Sequence, residues 1–284
     1  MRADEALGRL GGISDRRSLL ALCSSRALES ATDEGSVVRL GRSTYALPAA
    51  DEARAEAGRV GGVVSHLSAA LAHGWKVKVP PPAPHVTVRR SRSRVRAGSA
   101  VVRWGVLSSA ELAAGMTGPV RTVVDCARSL PFDEALAVAD SALRSGRVRR
   151  ADLLNAAAAC PRTGRAGAER VARSASAKAA NPFESVLRAI ALGVPGLSPV
   201  PQGRVGTIGH ADLTDDALRI AIEAESFEFH ALPQAFRYDV RRYTDMTRAG
   251  WVVARFVWED VMQRQEYVAA ALADLVALRA DRRT

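Results

Sequence analysis

Apolar residues recur at helical and strand spacings in an order that changes along the chain. Near the start, Leu19, Leu20 and Leu22 follow Ser14, a residue type that caps helices, which predicts a helix ending near Cys23. Ser24 and Ser25 offer a second cap, for a helix through Arg26, Leu28 and Ala31 that closes before Gly35. Leu28 and Ala31 share its inward face, and Ser25, Arg26, Glu29 and Ser30 its outward one. Two short β-rich runs, Val37–Leu40 and Thr44–Leu47, are joined by Gly41-Arg42-Ser43, a hairpin loop containing glycine. Helices with a tight turn and then a basic hairpin make the plan of a winged helix-turn-helix over residues 1–50. In that plan the helix with Ser25 and Arg26 enters the DNA major groove, and Arg39 and Arg42 at the wing tip lie along the phosphate backbone. A winged helix used only for protein contacts carries the same pattern.

Residues 51–178 read as a mixed α/β region. An Ala-rich helix follows Ser65-His66 and ends at His73-Gly74, before the prolines at 80–84. Strands at His85–Val88 and Ala100–Trp104 flank the tract Arg89-Arg90-Ser91-Arg92-Ser93-Arg94-Val95-Arg96, which predicts a hairpin with an arginine-studded tip. His66 and His73 are seven residues apart and so share one helix face, but no third metal ligand is placed beside them. Helices are predicted around Asp133–Leu143 and Ala151–Ala159, and residues 161–180 read as a linker or a polar helix.

From residue 179 to 284 the pattern is α-β-β-β-α-β-α. Asn181-Pro182-Phe183-Glu184 is a helix start with Asn as cap, Pro at the first position and Glu three residues on. Strands are predicted at Pro199–Val205, Ile208–Leu213, Ala217–Ala224 and Trp251–Val257, with helices at Pro233–Ala249 and from Tyr267 towards Arg279. The fold class expected for the whole chain is α/β (α+β overall), with a sheet covered by helices on both faces in the C-terminal part.

Charge divides along the same line. The formal net charge is +10. Residues 1–178 hold 28 basic and 16 acidic side chains, while residues 179–284 hold 12 and 14, so the excess lies wholly in the first part. It is almost all arginine, whose fork matches phosphate oxygens, and a surface of that kind favours nucleic acid. A generally arginine-rich composition that serves solubility is the plain alternative. Cys23, Cys126 and Cys160 are odd in number and far apart, which fits reduced thiols in a cytoplasmic protein. No apolar run is long enough to span a membrane, and acidic residues stand where a signal peptide would be apolar.

The candidate chemistry lies on the third C-terminal strand. Ile220, Ile222 and Ala224 point to one face, and Ala221, Glu223 and Glu225 to the other. Two carboxylates on one face of an apolar strand repel, and a metal cation relieves them. Asp212 lies near the end of the preceding strand, eleven residues before Glu223, so a hairpin brings it to Glu223, and such oxygens suit Mg²⁺ or Mn²⁺ acting on a phosphodiester. Other readings stay open. Glu184 completes a capping box, Glu223 and Glu225 pair with Arg219 or Arg241 at an exposed edge, and His230 is a plain loop histidine.

These residues also carry a resemblance. Residues 11–48, with Gly11-Gly12, Arg17, Arg26-Ala27-Leu28 and the Val38–Pro48 run, resemble the N-terminal winged helix of AbiEi-type antitoxins. The Ser65–Gly74 stretch and Arg121-Thr122-Val123-Val124-Asp125 resemble the middle part of that family. Residues 181–276 resemble the very-short-patch-repair (Vsr-like) branch of PD-(D/E)XK endonucleases. The matching pieces are Glu184, Asp212, Glu223-Ala224-Glu225, His230, Asp239…Arg242, Gly250-Trp251…Arg255-Phe256 and Trp258–Val261.

The resemblance implies a restriction-endonuclease-like domain that cleaves double-stranded DNA. Asp212 and Glu223 would be the metal ligands, Glu184 an accessory acid and His230 a proton-transfer group, with Glu225 at the next site position. The chain departs from that pattern at Glu225-Ser226, where Asp-Gly is usual, and at Phe229, where a second His is usual. The other function it implies is an antitoxin or transcriptional regulator with an inactive nuclease-like domain, which represses its own operon and counters a nucleotidyltransferase-like toxin.

Overall fold

The computed structural model describes residues 1–40, 43–95, 98–225 and 233–280. The chain divides into two compact units, Met1–Ala177 and Lys178–Thr284, and each mixes helices with small sheets.

The first unit opens with α1 (Ala3–Arg9), β1 (Ile13–Asp15), α2 (Arg16–Leu22), α3 (Ser25–Asp33), β2 (Val38–Arg39) and β3 (Thr44–Ala46). The start of α3 follows from its cap, since Ser24 Oγ accepts the Ala27 N–H at 3.1 Å. Leu28 and Ala31 are buried, and Ser25, Arg26, Glu29 and Ser30 are exposed. The start of α2 differs from the sequence expectation. Ser14 is buried in β1 opposite Tyr45, and Asp15 is the cap, accepting the Ser18 N–H at 2.9 Å. The reason is a third strand: β1 adds to the hairpin, giving an antiparallel sheet in the order β1-β3-β2. Leu40 N–H donates to the Thr44 carbonyl at 2.9 Å across the hairpin turn, where Arg42 lies outside the described residues. Leu7, Leu19, Leu28, Val37 and Tyr45 form the core of this part.

Next come α4 (Ala49–Val60), β4 (Val63–Val64), α5 (His66–Ala72), β5 (His85–Arg89) and β6 (Val101–Gly105). The helices α6 (Ser109–Ala114), α7 (Pro119–Ser129), α8 (Phe132–Arg144), α9 (Arg150–Ala159) and α10 (Arg165–Ser174) complete the unit. The expected arginine hairpin is instead a parallel pair, with Thr87 beside Arg103. The connection at 90–100 is long enough to carry the chain back to the same end of the sheet, which parallel pairing requires. Trp104 Nε1 donates to the Arg92 carbonyl at 3.0 Å and fastens that connection to β6. Of the two options for 161–180, the helix is the one formed: α10 buries Ala168, Val171 and Ala172. Cys23, Cys126 and Cys160 are free and buried.

The histidines of this unit are packed inside it. His73 Nε2 lies 3.0 Å from the Thr117 carbonyl, and its ring stacks on Trp75 at 4.7 Å. His66 Nδ1 lies 3.0 Å from Ser65 Oγ, and its ring meets that of His85 edge-on at 6.0 Å. Burial, reinforced by the charge of Arg103, holds His85 down to about 4 and lowers His66 as well.

In the second unit the order is α11 (Pro182–Ala191), β7 (Val200–Val205), β8 (Gly209–Asp215), β9 (Ile220–Glu225), α12 (Pro233–Arg248), β10 (Val252–Val257), α13 (Trp258–Gln263) and α14 (Gln265–Ala280). The sheet order is β10-β9-β8-β7, antiparallel from β7 to β9 and parallel between β9 and β10. The segment containing α12 is the crossover that the parallel pair needs. Alternation along β9 sorts the two cores. Ile220 and Ile222 pack with Val186, Leu187, Leu213, Val261 and Leu272 on one face. Ala221 packs with Val205 and Met246 of α12 on the other. Among the described residues, no helix is long and apolar enough to cross a membrane.

Because His85 titrates lower in the folded chain than the unfolded value of 6.5, the unfolded state takes up its proton first on acidification. Its contribution to stability is present above pH 6.5 and is lost as pH falls towards 4, by about 3 kcal/mol. Urea unfolding of His85→Gln across this range is expected to give a flatter pH dependence than the parent.

Candidate functional site

The second unit begins with a self-contained helix start. Asn181 Oδ1 accepts the Glu184 N–H at 3.0 Å. In return Glu184 Oε1 accepts from Asn181 Nδ2 at 3.0 Å, and its Oε2 accepts the Ala180 N–H at 2.7 Å. Both oxygens of Glu184 are thus engaged at the mouth of its own helix, by the residue before the cap and by the cap side chain, a variant of the capping box that was one reading of the sequence.

Asp212 and Glu223 come together at the end of the β8–β9 ladder. The pairing runs from Asp215↔Ile220 to Leu213↔Ile222, and one further step sets Asp212 opposite Glu223. There the ladder stops, and Asp212 Oδ2 takes the Ala224 N–H at 2.9 Å. Asp212 Oδ1 accepts from Gln202 Nε2 at 3.1 Å. Burial raises the Asp212 carboxyl above its ordinary value, opposed by those two donors. For Glu223 burial is again the main cause, the charge of Asp212 adds to it, and the result is about 7 in spite of Arg242.

The cations of this site are side chains. Arg242, on the face of α12 that also buries Met246, donates from Nη2 to Glu223 Oε1 at 2.5 Å. The same nitrogen donates to the His210 carbonyl at 2.5 Å. Glu225 Oε1 accepts from Arg255 Nε at 2.8 Å and from the Tyr243 hydroxyl. The Arg255 guanidinium lies 4.1 Å over the Tyr243 ring, and burial together with Glu225 raises the Tyr243 hydroxyl. The expected partners Arg219 and Arg241 are therefore replaced by Arg242 and Arg255. Arg219 is turned to the Ala249 carbonyl at 3.2 Å, and Arg241 is exposed.

These donors test the expected Mg²⁺ or Mn²⁺ site. A hard cation needs several oxygens converging with lone pairs to give. Here each of the three sheet carboxylates is already held by protein donors, and two guanidinium groups carry the compensating charge. Among the described residues no group of three or more His, Cys, Asp or Glu side chains is arranged to hold a metal ion. The arrangement does not fit a resident divalent cation. His230 lies outside the described residues.

In the first unit Ser25, Arg26 and Arg39 are all exposed, and the Arg39 guanidinium lies 5.9 Å over the Tyr45 ring. Arg16 Nη2 donates to Ser25 Oγ at 3.4 Å, which places another exposed arginine beside the start of α3.

Sequence reasoning missed Gln202, Tyr243 and the pairing role of Arg242. The available signal was the spacing of Tyr243 and Met246, which marks the sheet-facing side of α12 and carries Arg242 with it. Asp215 was also missed. Buried on β8, it accepts the Ser198 N–H at 2.7 Å and the Leu218 N–H at 2.9 Å, a tie for the strand end rather than a site residue.

No family model matches the chain. It is 33% identical over 164 residues to the uncharacterized protein Rv2248 of Mycobacterium tuberculosis (strain ATCC 25618 / H37Rv) and equally to the uncharacterized protein MT2308 of strain CDC 1551 / Oshkosh. The match covers 55% of this chain and 60% of each relative, so the chain spans well under two thirds of their length. Among solved structures, the RV2827C protein from Mycobacterium tuberculosis aligns over 66% of this chain and 79% of its own. Its TM-score of 0.32 and identity of 14% are too low to establish a shared fold.

Deleting one partner of a buried ion pair strands the other charge, so Arg242→Ala is expected to destabilise the second unit by about 3–5 kcal/mol. Adding Glu223→Gln to that variant is expected to restore part of the loss. Urea denaturation of the parent, both single variants and the double variant measures the coupling.

Proposed function

We propose that this protein is a duplex-DNA-binding regulator of the antitoxin-like kind, cytoplasmic, whose C-terminal nuclease-like domain does not hydrolyse DNA. The observation that carries the reading is the α2–α3 pair followed by the β2–β3 hairpin, which β1 completes into a three-stranded sheet, with Ser25, Arg26 and Arg39 exposed around it. That arrangement suits a winged helix-turn-helix, with α3 in the major groove and the β2–β3 hairpin along the backbone. The arginine excess of residues 1–178 supports the same partner, because each neutralised phosphate releases counterions.

The second unit has the element order of a restriction-endonuclease-like domain up to β10. The guanidinium groups on Glu223 and Glu225 support a non-hydrolytic role for it. A nucleotidyltransferase-like toxin is the protein partner that goes with the antitoxin reading. A specific observation favours the hydrolytic reading too, namely the opposition of Asp212 and Glu223 on adjoining strands. Supercoiled plasmid with Mg²⁺ or Mn²⁺ separates the two. Cutting that is lost in Asp212→Ala and Glu223→Ala establishes the nuclease, and intact plasmid with salt-sensitive binding supports the regulator.

Fluorescence anisotropy with a labelled duplex at several salt concentrations tests the DNA contact. Arg26→Ala and Arg39→Ala are each expected to weaken binding about three- to tenfold and to reduce the salt slope by about one. Unchanged affinity and slope in both variants would move the contact away from α3 and the hairpin.

A further inference from the structure

Alternation along β5 gives that strand two unlike faces. Val86 and Val88 enter the apolar core with Ala53 and Ala57 of α4. His85 and Thr87, 7% and 2% exposed, point to the other face, and parallel register sets Arg103 of β6 beside Thr87 there. Helix α7 covers this face. Burial lowers the Arg103 guanidinium, opposed by Cys126 and Asp125 of α7, and a Cβ on Gly105 would lie 3.2 Å from both Arg121 Nη2 and Thr87 Cγ2. His66 closes one side, its ring 6.0 Å from that of His85. It is held at a φ of 49°, left-handed backbone that a residue with a side chain adopts only where its surroundings impose it.

Three polar atoms on this face, His85 Nδ1, Thr87 Oγ1 and Arg103 Nη1, are buried and have no hydrogen-bond partner among the described residues. The guanidinium and the hydroxyl are donors, and Nδ1 donates in one tautomer of the neutral ring. Buried donors without an acceptor are costly, so three on one face call for more than packing. Charge points the same way. Arg103, Arg121 and Arg128 face one buried carboxylate, Asp125, whose oxygens lie 2.7 Å from Arg121 Nε and 3.9 Å from Arg128 Nη1. His66 is lowered first by burial and then by the charges of Arg103, His85, Arg121 and Arg128.

We propose that the β5–β6 face under α7 binds the phosphate group of a small phosphorylated molecule, with Arg103 Nη1, Thr87 Oγ1 and His85 Nδ1 donating to its oxygens and Arg121 at the entrance. The ligand class follows from the donors. Three donors, with three guanidinium groups against the one carboxylate, suit a tetrahedral oxyanion that carries about two negative charges near neutral pH, as a phosphomonoester does. The side chain of Arg121 is 34% exposed and marks the solvent side, whereas His85 and Thr87 lie inside, so the phosphate enters as a terminal group. A phosphodiester of duplex DNA carries a substituent on both sides and does not reach that depth. The site is built from α5, α7, β5 and β6 rather than α3 and the β2–β3 hairpin, so it stands independently of the DNA contact.

The test uses the full chain and inorganic phosphate, with sodium chloride at equal ionic strength as the control for general salt effects. Isothermal titration calorimetry of the parent is expected to show saturable binding of one phosphate, and melting is expected to rise with phosphate beyond the chloride control. Arg103→Met keeps the aliphatic stem and removes the charge, and Thr87→Val keeps the shape and removes the hydroxyl. Each is expected to weaken phosphate binding about tenfold or more and to lose most of the melting gain. If Arg103→Met does not fold, Thr87→Val decides the matter alone. Phenyl phosphate is expected to compete with inorganic phosphate for the site. The proposal is overturned if the parent shows no saturable binding, if the folded variants bind phosphate as the parent does, or if phenyl phosphate does not compete. Displacement of bound phosphate by a short DNA duplex would assign the site to the nucleic acid backbone and overturn it as well.

Discussion

Placing carboxylates on one face of β9 and covering that face with a helix imposes the constraint from which the second unit is built. Glu223 is 6% exposed, and Asp212 stands opposite it at the end of the ladder. Two such groups in a poorly solvated place repel each other and lose hydration, and both effects favour their neutral forms. The sheet meets this demand from two elements that the chain brings in after β9. Helix α12 supplies Arg242 and Tyr243, and β10, running parallel beside β9, supplies Arg255 in register with Glu223. The crossover is thus an electrostatic requirement as well as a topological one. Without α12 over the sheet, Glu223 would lack its guanidinium and Val205, Ala211 and Ala221 would lack the apolar cover of Met246.

How far the sequence shows this depends on whether the information is local. Period-two alternation on β9 separates Ile220 and Ile222 from Ala221 and Glu223, and the two cores divide along that line. The caps at Ser24 and Asn181 are local as well, and both accept the backbone donors that their positions imply. Ser14 and the 85–105 segment fail for one physical reason. Their conformation is decided by strand pairing beyond the local pattern, with β3 for Ser14 and a parallel β5–β6 pairing for 85–105. Strand direction has no local signature, so a basic connection between two β-rich runs reads as a hairpin tip even where the strands run parallel. The site divides in the same way. That Asp212 and Glu223 meet was legible from spacing, whereas the identity of their counter-charge was not. Arg219 and Arg241 are nearer on paper, but helical geometry turns Arg242, four residues before the sheet-facing Met246, towards the carboxylates.

Polar burial in the first unit follows a different logic. His66, His85, Thr87 and Asp125 are buried around Arg103 and Arg121. Asp125 is tied by Arg121 Nε at 2.7 Å, which couples adjacent turns of α7. The histidines there are held neutral by burial and by nearby guanidinium groups, so they act as shaped, hydrogen-bonding packing. Ser65-His66 and Arg121-Thr122-Val123-Val124-Asp125 lie at the start of α5 and along α7. In the fold they join α5, β5 and α7 into one packed block.

Charge accounting then separates the two units. Around β9, the three carboxylates Asp212, Glu223 and Glu225 face the two guanidinium groups of Arg242 and Arg255, which leaves the group short of positive charge when all are ionised. A phosphate approaching it would have to compete with carboxylates for cations that are already paired, and such competition gains little. The first unit differs in its overall balance, because residues 1–178 carry an excess of positive charge for counterions or phosphates to meet. The proposed DNA contact is therefore expected to reside where positive charge is in surplus and solvent-facing. The C-terminal sheet, whose arginines are consumed internally, is expected to add shape rather than electrostatic attraction.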